Sequence, residues 1–268
     1  MKIPFTKAHG AHNDFLLTWR NDAPDPDVMD HAAIAQAICE RHTGVGADGW
    51  MLVDPPSDAH SEGAIELYNS DGSTAEISGN GTRCAAAFLI RHGHAAGVVR
   101  VRTGAGVKTL RLLRRRDLEF EFEMNMGVPE ITAERFDLEL IAGDRDVTLL
   151  WVGNPQCAVP VENFDFDWRA MGAEIERHPQ FPNRTNVSFV RPVDRHTIDV
   201  RFWERGAGET MSSGTGSTGA AAMAVARGVA ESPVRVETPA GALEVRFDGD
   251  VFLTGPAQIV AEGVFHTG

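Results

Sequence analysis

Two serine-headed glycine motifs offer the most direct chemistry in this sequence. Ser78-Gly79-Asn80-Gly81 stands before the run Ala85-Ala86-Ala87, and Ser213-Gly214-Thr215-Gly216 stands before Ala220-Ala221-Ala222. Glycines at a helix start let the backbone turn tightly and approach a ligand. The first amides of a helix have no internal partner and sit at the positive end of its dipole. Each motif therefore reads as a carboxylate cradle. Two cradles facing each other across a cleft would set Ser78 and Ser213 over opposite faces of one small anion. That arrangement suits a reaction in which one group removes a proton and the other returns it from the far side. The plainer reading makes both serines N-caps and the glycines packing devices.

The elements that position these motifs are duplicated. Val99 to Gly106 (VRVRTGAG) reappears as Val234 to Gly241 (VRVETPAG), identical at six of eight positions, at an offset of 135 residues. The same offset superimposes the two serine motifs and the two alanine runs, and three blocks in one register mark an internal repeat. Each copy predicts an alternating strand (Ala64 to Tyr68, Thr197 to Trp203), the glycine loop, and one alanine-rich core helix. A β-branched strand, a turn at Gly104 to Gly106 or Pro239 to Gly241, and a second strand follow. Gly127-Val128-Pro129 and Gly255-Pro256 read as closing turns, and Ile131 to Val147 as the join between lobes. The expected architecture is α+β: two pseudo-symmetric lobes, residues 1–135 and 136–268, each a curled β-sheet around a central helix, with the last strand free to cross back.

Composition narrows the partners. The chain has 268 residues, 43% of them hydrophobic, and a net charge of −13 from 38 acidic and 25 basic side chains. No basic patch interleaved with aromatics stands out, which argues against nucleic acid and an anionic membrane. The basic cluster Arg111 to Arg116 is broken by Leu112 and Leu113 and fits a solvated strand edge or hairpin. Cys39, Cys84 and Cys157 are widely spaced and make neither a disulfide framework nor a zinc site. With no signal-like segment in view, a cytoplasmic, metal-free protein is the expectation. Gly214 to Gly219 matches the G-x-G-x-x-G dinucleotide pattern, but ten residues separate Gly214 from the strand ending near Trp203, and the first copy lacks the third glycine.

Asn69 to Arg83 (NSDGSTAEISGNGTR) and Glu204 to Gly216 (ERGAGETMSSGTG) resemble the two signature segments of diaminopimelate epimerases. His9 to Phe15, Arg41 to Asp48, Gly153-Asn154-Pro155 and Arg184-Thr185-Asn186 fall where that family has matching elements. The resemblance spans nearly the whole chain and implies a two-lobed fold and cofactor-independent inversion at an amino-acid α-carbon, in lysine biosynthesis. It implies a reacting carboxylate on Gly79, Asn80, Gly214 and Thr215, and a distal amino-acid head held by Asn69, Asn154, Asn186, Glu204 and Arg205, with Asn13 lining the cleft. A homodimer is a further family expectation. The departures fall on the acid/base machinery: Ser78 and Ser213 occupy both catalytic cysteine positions, and Gln156 stands beside the chemistry where the family usually has histidine. A hydroxyl is far less acidic than a thiol and needs a neighbouring base, for which Glu204 is the nearest charged candidate. Three readings follow: an epimerase using serines, a related racemase or dehydratase on another amino acid, and a non-catalytic amino-acid-binding protein with the same cleft.

Overall fold

The computed structural model describes residues 2–56 and 59–267. The chain folds into two compact units, residues 1–124 with 255–268, and residues 125–254. The first unit contains β1 (Lys2–Gly10), β2 (Asn13–Trp19), α1 (His31–Cys39), β3 (Gly49–Asp54), β4 (Gly63–Asn69), β5 (Thr74–Ala75), α2 (Gly79–Arg91), β6 (Val98–Thr103), β7 (Gly106–Arg116) and most of β8 (Glu119–Gly127). The second contains β9 (Glu130–Leu138), β10 (Arg145–Trp151), β11 (Pro155–Pro160), α3 (Trp168–Glu176), β12 (Asn186–Asp194), β13 (Thr197–Glu204), β14 (Gly208–Thr210), α4 (Gly214–Ala226), β15 (Val234–Thr238) and β16 (Gly241–Asp248). The last strand, β17 (Asp250–His266), begins in the second unit and ends in the first.

In the first unit, β1, β2, β3, β4, β6, β7, β8 and β17 pair in that order around a closed eight-stranded ring. Of the pairings in this ring, β2–β3 and β4–β6 run parallel. A parallel pair cannot be joined by a hairpin and needs a long crossover; α1 bridges the first pair and α2 the second. The second unit repeats the pattern. Its strands pair as β9, β10, β11, β12, β13, β15, β16 and β17, with β11–β12 and β13–β15 parallel and bridged by α3 and α4. The duplication thus extends to strand order and direction.

The alanine-rich segments form the central helices. Gly79 to Ile90 of α2 are all buried, and α2 packs on β1, β2, β4, β6 and β7. Gly214 to Ala224 of α4 are likewise buried, against β9 to β13, β15 and β16. Small side chains explain this placement, because a helix enclosed by a curled sheet has no polar face to show. Two helices lie outside the one-helix-per-lobe expectation. Asp30 caps α1, which seats Ile34 and Ile38 on a core with Trp50 and Leu52. Asp167 caps α3, which seats Met171 and Ile175 against Val187 and Phe189. Gly172 lets α3 lie on Trp203: a Cβ there would meet Trp203 Cβ at 2.8 Å and Cγ at 2.9 Å. Gly172→Ala is therefore expected to cost about 1–3 kcal/mol through overpacking, seen as a lowered Tm in thermal unfolding.

Two expectations change and a third holds. The predicted boundary at 135/136 falls inside β9, because β9 and β10 form a hairpin within the second unit rather than a join. Gly255-Pro256 is not a turn but lies within β17. Its neighbours explain why: β17 pairs with β16 up to Thr254 and with β1 from Gln258, so the proline that cannot donate sits where neither of those ladders needs a donor. Arg111 to Arg116 line the β7–β8 hairpin, where Arg111 meets Glu123 at 2.8 Å and Arg115 covers the Phe120 ring at 5.1 Å. That is the solvated hairpin predicted. No helix among the described residues is long and apolar enough to cross a membrane.

Candidate active site

In the first unit Ser78 is the N-cap of α2. Its Oγ accepts the Gly81 amide at 3.1 Å and its carbonyl accepts the Thr82 amide at 2.8 Å, which leaves the Gly79 amide at the helix tip. Gly81 suits that closeness, since a Cβ there would stand 3.2 Å from Ser78 Cβ and would have to displace Met51 Cε, 2.1 Å away. Above this tip sits the β1–β2 turn, whose central residues Ala11 and His12 both have positive φ (49° and 60°). Left-handed backbone is costly for such residues, and here it brings Gly10 against Asn80 and Asn80 Nδ2 within 3.3 Å of Asn13 Oδ1. Asn13 is held in turn by Asp48 at 2.7 Å. Burial and the nearby Asp14 push the Asp48 carboxyl upward. Asp14 titrates low even though burial opposes it, because Arg41 and Lys7 both bond it.

The same helix start carries a buried cation. Arg83 is fully buried; its Nε donates to Pro256 O at 3.0 Å, and its terminal nitrogens to Gly79 O at 3.4 Å and to Asn80 Oδ1. All these partners are neutral oxygens, and burial pulls its pKa down to about 10. A guanidinium that stays charged here adds to the positive potential of the α2 tip. At the corresponding place in α4, Thr218 makes the neutral version of that contact, to Gly214 O at 2.9 Å.

In the second unit Ser213 caps α4 in the same way, accepting the Gly216 amide at 3.1 Å and, through its carbonyl, the Ser217 amide at 2.9 Å. The difference is its hydroxyl hydrogen. Ser213 Oγ donates to Glu204 Oε1 at 2.6 Å. The Ser78 hydroxyl has no carboxylate partner among the described residues. The remaining predicted residues of this unit fall into two bonded groups. Gln156 Nε2 donates to Asn154 Oδ1 at 2.6 Å and to Thr215 Oγ1 at 3.2 Å, and Asn154 Nδ2 reaches Thr215 Oγ1 at 3.4 Å. Asn186 Nδ2 donates to Pro155 O at 3.1 Å, while its Oδ1 accepts the Arg205 amide at 2.9 Å. Gln156 Oε1 is buried without a partner among the described residues. An open acceptor beside the helix tip suits a donor on a ligand, such as an ammonium.

Asn69 is the outlier. It pairs with Gly49 in β4 and its side-chain amide bonds Ser73 at 3.0 Å, with no bond to Ser78 or Asn80. Arg205 Nη1 reaches Asn183 O at 3.3 Å. Sequence reasoning missed the supporting charges: Arg41 and Asp48 belong to a family-like segment that suggests no role for either, and Glu176, which braces Trp203 and Gly206, lies in no motif at all. Among the described residues no group of three or more His, Cys, Asp or Glu is placed to hold a metal ion.

The three cysteines lie away from solvent. Cys39, Cys84 and Cys157 are buried, and burial pushes the Cys39 and Cys84 thiols up to about 12 and Cys157 upward as well. An unfolded thiol ionises near about 8.5. Above that pH the unfolded chain sheds protons that the folded chain keeps, so the contribution present at lower pH is lost as pH rises toward about 12. Thiol titration of the native protein is expected to detect no fast-reacting group, and denaturant midpoints are expected to fall above about pH 8.5.

The sequence model of the family described as diaminopimelate epimerase matches residues 5–132 and 148–260. A diaminopimelate epimerase from Microcystis aeruginosa is 35% identical over 286 aligned residues, covering 99% of both chains. One from Azoarcus sp. is 38% identical, covering 98% of both. Among solved structures, a hydroxyproline epimerase from Agrobacterium vitis superimposes with a TM-score of 0.77 at 15% identity, over 98% of this chain and 92% of that one. At that identity the likeness is one of fold.

Proposed function

The chain belongs to the diaminopimelate epimerase family, and from that membership we propose that it interconverts LL- and meso-diaminopimelate by moving the α-proton between two faces of the substrate, with no cofactor. The observation that carries the chemistry is the 2.6 Å bond from the Ser213 hydroxyl to Glu204. As Ser213 Oγ takes the α-proton, its own proton passes to Glu204, so no free alkoxide forms on that face. Ser78 acts on the other face by giving its hydroxyl proton to the carbanion. The alkoxide left behind lies at the positive tip of α2, against the Gly81 amide and near the buried Arg83 cation; solvent reprotonates it as Glu204 gives its proton back to solvent, which resets both faces. One serine is thus equipped as a base and the other as an acid.

In this reading the Gly79, Gly214 and Thr215 amides hold the reacting carboxylate, Gln156 Oε1 accepts the α-ammonium, and Asn154, Asn186 and Arg205 hold the distal head. Arg205 suits a carboxylate and Glu204 an ammonium. Asn13, Asn69 and Asn80 complete the polar lining. Family membership also supports the finer picture of two pseudo-symmetric lobes, a cytoplasmic enzyme of amino-acid biosynthesis, and a homodimer. The deciding experiment incubates the protein with LL-diaminopimelate in D₂O and follows deuterium at the α-carbon. Uptake with formation of the meso isomer is expected. Tight binding without uptake would leave the amino-acid-binding reading, which draws on Ser78 having no carboxylate partner among the described residues.

A further inference from the structure

We propose that Glu176 is a positioning residue that aligns Glu204, Asn186 and Arg205 without touching the substrate, an inference that rests on the epimerase reading. Glu176 ends α3 and is 3% exposed. A carboxylate at the negative end of a helix, withdrawn from water, is opposed both by the dipole and by desolvation. An apolar residue would suit the fold better, so its contacts must account for its presence.

Those contacts converge on the two turns that carry the distal-head residues. Glu176 Oε2 accepts the Trp203 indole Nε1–H at 2.9 Å, and Oε1 accepts the Gly206 amide at 3.2 Å. These donors flank Glu204 and Arg205 on either side. The Glu176 carbonyl accepts the Thr185 amide at 3.2 Å, directly before Asn186, and Oε1 also meets Arg184 Nη1 at 3.4 Å. Arg184 has a φ of 59°, a conformation that its side chain disfavours and that neighbours must hold. The turns are then tied together by the Arg205 amide on Asn186 Oδ1 at 2.9 Å. One buried carboxylate and its own carbonyl therefore brace both ends of the segment from which Glu204 reaches Ser213.

Glutamine fits the same space but has one acceptor oxygen for the three N–H donors of Trp203, Gly206 and Arg184. Glu176→Gln is expected to raise KM for LL-diaminopimelate about tenfold, with a smaller fall in kcat, because the binding groups lie nearest the freed turn. A merely structural role would reduce the folded fraction and leave the KM of the remaining molecules unchanged. Amide hydrogen exchange on the full chain gives a second readout that needs no substrate. Residues 203–207 should exchange at least tenfold faster in E176Q than in wild type, with α4 protected equally in both. Unchanged protection at 203–207, or unchanged KM in an active E176Q, overturns the positioning role. A wild-type protein that exchanges no α-deuterium refutes the epimerase reading instead, and the amide exchange then decides the role of Glu176 alone.

Discussion

Replacing both serines with cysteine, Ser78→Cys with Ser213→Cys, is expected to speed α-deuterium exchange by roughly 10²-fold or more. A thiol ionises near about 8.5, and a helix N-terminus lowers that further. Both serines stand at such a terminus, each with its Oγ on the amide three residues on. A hydroxyl ionises far higher, and every unit of mismatch with the working pH is worth about 1.4 kcal/mol, or tenfold in rate. The two sites should also differ from each other. Glu204 beside position 213 disfavours a second negative charge there, whereas Arg83 and the α2 tip favour one at position 78. Ser213 is also nearly buried, at 3% exposure, while Ser78 is half-buried. Iodoacetamide should therefore label the Ser78→Cys single variant faster than Ser213→Cys. A double variant no faster than wild type would mean that the hydroxyls do not limit the reaction, and labelling in the opposite order would refute the acid-and-base assignment.

That asymmetry was only half legible in the sequence. Identity at the 135-residue offset revealed the paired helix starts, and small side chains at 85–87 and 220–222 revealed that both helices are enclosed. It could not reveal α1 and α3. Their apolar stripes are short, Ile34 with Ile38 and Met171 with Ile175, and no block of the repeat covers them. Strand direction explains their presence, since two parallel pairs per unit demand two crossovers. The closing turn was misread for a different reason: Gly255-Pro256 carries the residue types of a turn, and only the change of pairing partner along β17 shows how a continuous strand tolerates them. At the site, the family resemblance assigned Glu204 to binding while its charge made it the nearest candidate to assist a serine; its bond to Ser213 depends on the β13–β14 hairpin, which turns Glu204 back toward the helix cap. Glu176 had no signal in sequence, because a single glutamate at a helix end is ordinarily a surface residue.

Glu204→Gln is expected to lower kcat for α-proton exchange by roughly 10²- to 10⁴-fold, the range for loss of a positioned acid/base group. The substitution keeps the shape and an oxygen that can still accept the Ser213 hydroxyl, so the N-cap geometry of α4 should survive; thermal unfolding checks this. What is lost is the capacity to take the proton that Ser213 must release as it removes one from carbon. Glu204 is also expected to meet the distal ammonium, so KM should rise as well, and the two roles separate in the kinetics. A binding group lost uniformly from ground and transition states raises KM and leaves kcat unchanged. A base lost from the chemical step lowers kcat at saturating substrate. Unchanged kcat in E204Q would confine Glu204 to binding and remove the base from the Ser213 face, leaving two unassisted hydroxyls. Combining E204Q with Ser213→Cys sharpens the test, because a thiolate needs no neighbouring carboxylate. If Glu204 acts as the base for Ser213, the thiol should restore most of the lost kcat while KM stays raised.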